Sequence, residues 1–323
     1  MRYPVRRQAL SSVCSVHHVY CLGTKSTGGG MDVAWSAFRV AIAQFAPKLG
    51  DVSANLSRHL DYVNEAKRAN AQVLVFPELG LTGYQTQDLT LEVARHVSHP
   101  DIQRLIQASR DLDVLFSFVE ETDDCRFFVT AAYASGGRLV HRHRKLYLPT
   151  YGMFDERRYF APGDRVRTFS AQGGQAGVLI CEDAWHLSSP YLLAVQGASV
   201  IYVPASSPWR NTMAASDFGS HAFWRQLLQV YAQLCGCFFV FANRVGYEDG
   251  VHFYGGSGVM GPDGEWVAEG PASESAMVVA DLDFRMVRRA RYTTPLMRDE
   301  RVRLVLAEMQ EAVRRRSTDE AGD

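Results

Sequence analysis

The chain has little that would commit it to a membrane, a nucleic acid or a metal. No apolar run approaches the length of a bilayer-spanning helix. Neither sign of charge prevails: 34 Lys and Arg stand against 35 Asp and Glu, for a net charge of −1. That balance excludes the basic excess or stripe expected of a nucleic-acid-binding protein. Cysteine is sparse, and the six present lack zinc-type spacing. Cys235-Gly236-Cys237 is too tight for the usual C-x-x-C redox pair. These absences point to a reduced, cytoplasmic protein whose cysteines mostly pack.

What is present is enough apolar residue for a large core, 47% of 323 positions. The first thirty residues stand apart: Arg2, Arg6, Arg7 and Lys25 without an acid, ending in Gly28-Gly29-Gly30. Such a leader reads either as a transit peptide or as the product of an upstream translation start, with Met31 opening the domain; the second is preferred. Residues 1–34 are therefore expected to be a poorly ordered leader, 35–298 a single α/β domain, and 299–323 a helical tail. Within the domain, strand and helix patterns alternate. Phe38–Phe45 and 73–78 read as strands, with a helix between them that Ser53 can cap and whose apolar face is Leu56, Leu60, Val63 and Ala66. Further strands are expected at 114–120, 127–135, 138–144, 174–181, 199–205, 237–243 and 275–283. Helices are expected near 100–111, 189–197 and 216–235. Gly255-Gly256-Ser257-Gly258 lacks the Gly-Lys-Ser/Thr ending of a phosphate loop and reads as turn chemistry.

Three of these segments end in reactive groups. Val73-Leu74-Val75-Phe76-Pro77 delivers Glu78, 138–144 delivers Lys145, and Gly177-Val178-Leu179-Ile180 delivers Cys181. A thiol, a carboxylate and an ammonium at strand ends are the parts of a nucleophilic site. Any one alone would be a packing cysteine, a turn or a solvated lysine. His141 and His143 alternate on one strand, but no carboxylate pattern completes a metal site, so a surface or packing role is expected. Trp209, Phe218, Phe223 and Trp224 read as helix packing or a subunit interface.

The motifs around the three groups resemble the nitrilase superfamily of carbon–nitrogen hydrolases over nearly all of 38–290. Phe76-Pro77-Glu78-Leu79-Gly80-Leu81-Thr82-Gly83-Tyr84 is similar to its glutamate motif. His143-Arg144-Lys145-Leu146-Tyr147-Leu148-Pro149 is similar to the lysine motif, and Leu179-Ile180-Cys181-Glu182-Asp183 to the cysteine motif. Phe241-Ala242-Asn243-Arg244-Val245-Gly246 is similar to a later signature. The stretch 148–160 with Cys181-Glu182-Asp183-Ala184-Trp185 looks most like the glutaminase domain of glutamine-dependent NAD synthetase. After Val245-Gly246 comes Tyr247-Glu248-Asp249, where those relatives commonly have Gly-Gln-Asp.

The resemblance implies a four-layer α-β-β-α sandwich and a Glu78, Lys145, Cys181 triad that needs no cofactor. Glu156 matches a second, supporting glutamate; an ion pair with Arg157 or Arg158 is the equal alternative. Tyr84, Tyr151, Phe154, Glu182 and, more loosely, Ser207 match substrate-binding positions. No Ser-Gly-Gly-x-Asp-Ser nucleotide loop is present, so synthesis of NAD by this chain alone is not expected. The expected activity is hydrolysis of a small, linear, glutamine-like amide with release of ammonia. Alternatives are an ammonia-supplying subunit of a separate synthetase, a nitrile or N-carbamoyl hydrolase, and a catalytically silent scaffold. The resemblance also implies a homodimer or higher oligomer, which the apolar residues of 302–313 would serve unless they cover the protomer's own sheet.

Overall fold

A computed structural model describes residues 19–20, 37–209 and 219–319, with side chains for 37–209 and 219–316. Phe218 and most of the expected leader lie outside the described residues. Two sheets carry the fold. The first runs Val19–Tyr20, Ala276–Leu282, Phe38–Gln44, Val73–Val75, Asp113–Glu121, Phe127–Ser135, Arg138–Arg144. Within it, Phe38–Gln44, Val73–Val75 and Asp113–Glu121 are parallel neighbours, so each connection must cross over through a helix. The second runs Trp266–Glu269, Gly258–Met260, Phe238–Asn243, Val200–Ala205, Gly174–Val178, Phe169–Ala171. Val200–Ala205 lies parallel to both of its neighbours.

The sheets meet face to face through aromatic side chains. Tyr133 of the first lies 4.8 Å from Phe169 and 5.9 Å from Tyr202 of the second, centroid to centroid. Val52–Arg68 and Pro100–Ala108 cover the outer face of the first sheet, burying Leu56, Tyr62, Val63, Ile102 and Leu105. Ser188–Val195 and Ser220–Cys235 cover the second, where Trp224 packs on Phe241 at 4.8 Å. Leu193 comes so close that a Cβ on Gly177 would sit 2.5 Å from its side chain. The result is the α-β-β-α sandwich.

Some boundaries differ from the sequence reading for local reasons. Val52–Arg68 starts one residue before Ser53, because Asp51 is the cap and accepts from Ala54 N at 3.0 Å. The strand expected over 174–181 stops at Val178, since Cys181–Trp185 winds into a 3₁₀ turn. Phe284–Thr293 is a helix whose buried residues are only Phe284 and Val287, too few to show a periodic apolar face. From the leader, Val19–Tyr20 pairs with Met277 and Val278. In the tail, Val302–Asp319 is helical, and Leu304, Leu306, Met309 and Val313 stay exposed rather than covering a sheet. An apolar groove of about 1170 Å³ separates part of that helix from Leu187, Tyr191 and Leu234. No helix among the described residues is long and apolar enough to cross a membrane.

Candidate active site

Glu78, Lys145 and Cys181 converge because their strands end at the same rim of the sandwich, and each is locked by its own turn. Phe76 N still bonds to Leu115 O at 2.8 Å, after which Thr82 N and Gly83 N return to Leu79 O. Leu79 and Cys181 both adopt left-handed backbone, φ +48° and +46°. Such conformations cost about 1–3 kcal/mol apiece and persist only where the surroundings impose them. At Cys181 the imposing group is Asp183. Its Oδ2 accepts from Ile180 N at 2.9 Å and pairs with His143 Nε2 at 2.8 Å. Its Oδ1 accepts from Leu146 N and Tyr147 N at 2.8 and 3.0 Å. One buried carboxylate therefore ties the cysteine turn to the segment that follows the lysine.

Lys145 is the hub of the polar floor. Its Nζ donates to Glu78 Oε1 at 2.7 Å and to Glu156 Oε1 at 2.6 Å, with all three side chains at or below 5% exposure. Glu156 therefore bonds to Lys145; neither Arg157 nor Arg158 is its partner, and Arg158 faces Asp155. Tyr84 OH donates a short hydrogen bond to the same Glu156 oxygen. Glu78 Oε2 accepts from Ser206 N at 2.9 Å, and Ser206 Oγ donates to the Glu78 carbonyl. The Ser206 amide is also within reach of the Cys181 sulfur.

The electrostatics follow from one cation shared by two carboxylates in a dry place. Burial would lower the lysine, but Glu156 and Glu78 overcome it and hold Lys145 well above its ordinary value. Burial pushes Glu156 up to about 7; Lys145 opposes this and the Glu78 charge adds to it. Burial also pushes the Cys181 thiol well up, Glu78 reinforcing and Lys145 resisting. Raised in this way, the sulfur favours its protonated, thiol form.

The outer residues form a different layer. Tyr151, 46% exposed, donates to both Glu182 oxygens at 3.0 and 2.9 Å. Phe154 stands edge-on to Tyr84 and to Tyr151 at 6.1 and 5.8 Å, linking floor to mouth. A cavity of about 470 Å³ is lined by Thr150, Tyr151, Arg157, Glu182 and His186. Ser207 lies deeper: its Oγ accepts from Trp224 Nε1 at 3.0 Å and its amide donates to Asn243 Oδ1 at 2.8 Å. Of the aromatic set, Trp224 is buried, Phe223 stacks on Trp185 and Trp209 is half-exposed.

Sequence reasoning missed Asp183, Ser206 and Glu248, and assigned His143 a surface or packing role. Asp183 had a local signal, three residues beyond Ile180 and able to bond back to its amide. Ser206 and Glu248 had none, because their partners lie 128 and 164 residues away. Among the described residues no cluster of His, Cys, Asp and Glu could hold a metal ion.

Residues 39–292 match the family described as Carbon-nitrogen hydrolase. The glutamine-dependent NAD(+) synthetase of Acinetobacter baylyi is 30% identical over 78% of this chain but 45% of its own length. The chain thus spans about half the length of the synthetases it matches. An N-carbamoylputrescine amidase of Arabidopsis thaliana is 29% identical over 81% of this chain and 92% of the relative. Among solved structures, an amidase from Nesterenkonia sp. AN1 superimposes with a TM-score of 0.71 at 25% identity, covering 87% of this chain and 99% of the amidase. In that structure the acetamide moiety of fluoroacetamide is joined to the active-site cysteine.

Proposed function

Since the chain belongs to the carbon–nitrogen hydrolase family and acts on non-peptide C–N bonds, we propose that it is a thiol amidohydrolase working through a Cys181 thioester. The observation that carries this is the Lys145 ammonium, bonded at once to Glu78 and Glu156 beside a buried thiol. Glu78 takes the thiol proton as general base, and the sulfur attacks the amide carbon. The oxyanion that develops meets Lys145 and the backbone N–H of Glu182. Glu78 then gives its proton to the departing nitrogen, the C–N bond breaks and ammonia leaves. Water activated by Glu78 cleaves the thioester, releasing a carboxylic acid and restoring the thiol. Glu156 and Tyr84 keep the ammonium aimed. No step calls for a metal or organic cofactor.

Tyr151, Phe154 and Glu182, with Tyr84 and Ser207 behind them, form the substrate-binding wall in this reading. Glu182 suits a substrate that carries an ammonium group. Glutamine does so, and so does N-carbamoylputrescine, which is cleaved by relatives similar over nearly their full length. A glutamine-like linear amide is the preferred substrate. Ammonia supply to a separate synthetase is the second reading, favoured by the similarity to synthetases. We further propose a homo-oligomer that buries Leu304, Leu306 and Met309; sedimentation of a Leu306→Glu, Met309→Glu chain as the wild-type species would remove that idea.

The direct test is mass spectrometry of protein quenched during turnover of glutamine, N-carbamoylputrescine, aliphatic amides and nitriles. An acyl adduct on Cys181 is expected, and its mass names the substrate. Turnover with no adduct, or with the adduct on another residue, would overturn the mechanism. Ammonia release that rises only with a nucleotide-dependent partner would select the second reading.

A further inference from the structure

Glu248 belongs to none of the three motifs, yet both of its oxygens are committed toward the site. Oε1 accepts from Tyr84 N at 2.8 Å and Gln85 N at 2.7 Å, and Oε2 accepts from Arg244 Nη1 at 2.7 Å. Both side chains of this pair are buried, at 0% and 3% exposure. A buried ion pair is a costly way to hold a loop, since its desolvation offsets much of its attraction. The mechanism above gives Glu248 nothing to do.

Its position is set by the hairpin Val245–Glu248 and Val251–Tyr254, which lies outside both main sheets. Arg244 enters from the end of Phe238–Asn243, with its guanidinium 4.3 Å from the centre of the Phe253 ring. Phe253 in turn stands edge-on to Tyr84 at 6.0 Å. Gly83 makes the approach feasible: its φ is +82°, and a Cβ there would lie 2.7 Å from Leu49 Cα and 3.0 Å from Glu248 Oε2. Tyr84 is thus held twice, by its amide on Glu248 and by its hydroxyl on Glu156. Glu156 shares the ammonium of Lys145 with Glu78.

We infer that Glu248, fixed by Arg244, is a positioning residue that sets Tyr84 and, through Tyr84 and Glu156, the Lys145 ammonium where the oxyanion forms. The inference rests on the proposed hydrolysis. It predicts that disturbing Glu248 harms the transition state more than substrate binding, because Tyr84 forms only the back of the substrate-binding wall while its hydroxyl bonds directly to Glu156.

The test is steady-state ammonia release by the full chain, with a double-mutant cycle between Glu248→Ala and Tyr84→Phe. Tyr84→Phe removes the hydroxyl and leaves the backbone amide in place. Glu248→Ala is expected to lower kcat about 100-fold, the scale of an ångström-size misplacement, with KM changed less than about threefold. The two losses are expected to be strongly non-additive, the double variant falling little below the worse single one. Where Glu248→Ala does not fold, Glu248→Asp replaces it in the cycle: the charge stays near Arg244 while the acceptor retracts by one methylene. Additive losses, or a loss that appears only in KM, would overturn the inference. Wild-type protein that releases no ammonia from any amide would instead sink the proposed function.

Discussion

At the floor of the site Glu78 and Glu156 are buried and both bonded to the buried Lys145, whereas at the mouth Tyr151 and Arg157 are exposed. The floor has almost no freedom: each carboxylate has fixed partners, and the Cys181 turn is held from Asp183. At the mouth Tyr151 bonds to Glu182, His186 approaches Glu182 at 4.0 Å and stacks on Tyr147, and Phe154 N donates to Tyr151 O at 3.1 Å. In the proposed mechanism floor residues are therefore tied to both chemistry and stability, and mouth residues to the choice of amide. Low dielectric magnifies every charge on the floor, and solvent mutes those at the mouth.

Perturbing the two layers separately tests that division. The largest effect belongs to Cys181→Ala, which should lower ammonia release by roughly a million-fold, as loss of a nucleophile does, while the melting curve stays near wild type. Residual turnover of even a hundredth would place the nucleophile elsewhere. Lys145→Met should abolish turnover and also destabilise the fold by about 3–5 kcal/mol, because two buried carboxylates lose their cation. Urea unfolding checks the second half, and unchanged stability would show that the floor relaxes more than its burial implies.

Glu182→Gln should act in the opposite manner. It should raise KM for a cationic amide about tenfold or more, from the roughly 1.5–3 kcal/mol of a charged hydrogen bond, and leave kcat and melting nearly unchanged. An equal KM rise for an uncharged amide would remove Glu182 from substrate choice. The effect of least consequence for turnover lies behind the floor, at His59, and shows only in the pH dependence of stability. Its Nδ1–H donates to Asn55 O at 2.7 Å and its ring stacks 4.1 Å from Phe76, two residues before Glu78. Burial lowers His59 to about 4. The unfolded chain binds that proton at its ordinary value of 6.5, so stability is complete above pH 6.5 and falls as pH drops toward 4. The loss approaches roughly 3 kcal/mol, and His59→Gln should flatten that limb of the stability curve. An unchanged limb would assign it to other groups, His141 among them, which burial likewise lowers to about 4.

The division between layers also explains what could be read from the chain. Glu78 and Cys181 were legible because each follows an apolar run and lies in a specific motif, and Lys145 because it directly follows the strand Arg138–Arg144 inside a specific motif. The strands Phe127–Ser135 and Arg138–Arg144 kept their expected limits, since a two-residue Gly136-Gly137 turn fixes both ends. Glu156 left two readings open because its neighbours in sequence, Arg157 and Arg158, are as suitable in charge as Lys145, and only the fold brings Lys145 to it. Ser207 matched a motif loosely, and its hydroxyl is engaged by Trp224 from the helix Ser220–Cys235. Glu248 looked like a departure at the substrate mouth; its role as a clamp on Tyr84 depends on a contact made across the whole domain.

One consequence of the raised Cys181 thiol reaches beyond amide cleavage. Peroxides and soft metal ions attack thiolates far faster than thiols, so a sulfur stored with its proton is poorly visible to them. In the proposed mechanism the nucleophile comes into being beside a docked amide, when Glu78 accepts the proton and Lys145 faces new negative charge. On that mechanism the protonated sulfur between turnovers is a slower target for oxidants than a resting thiolate would be.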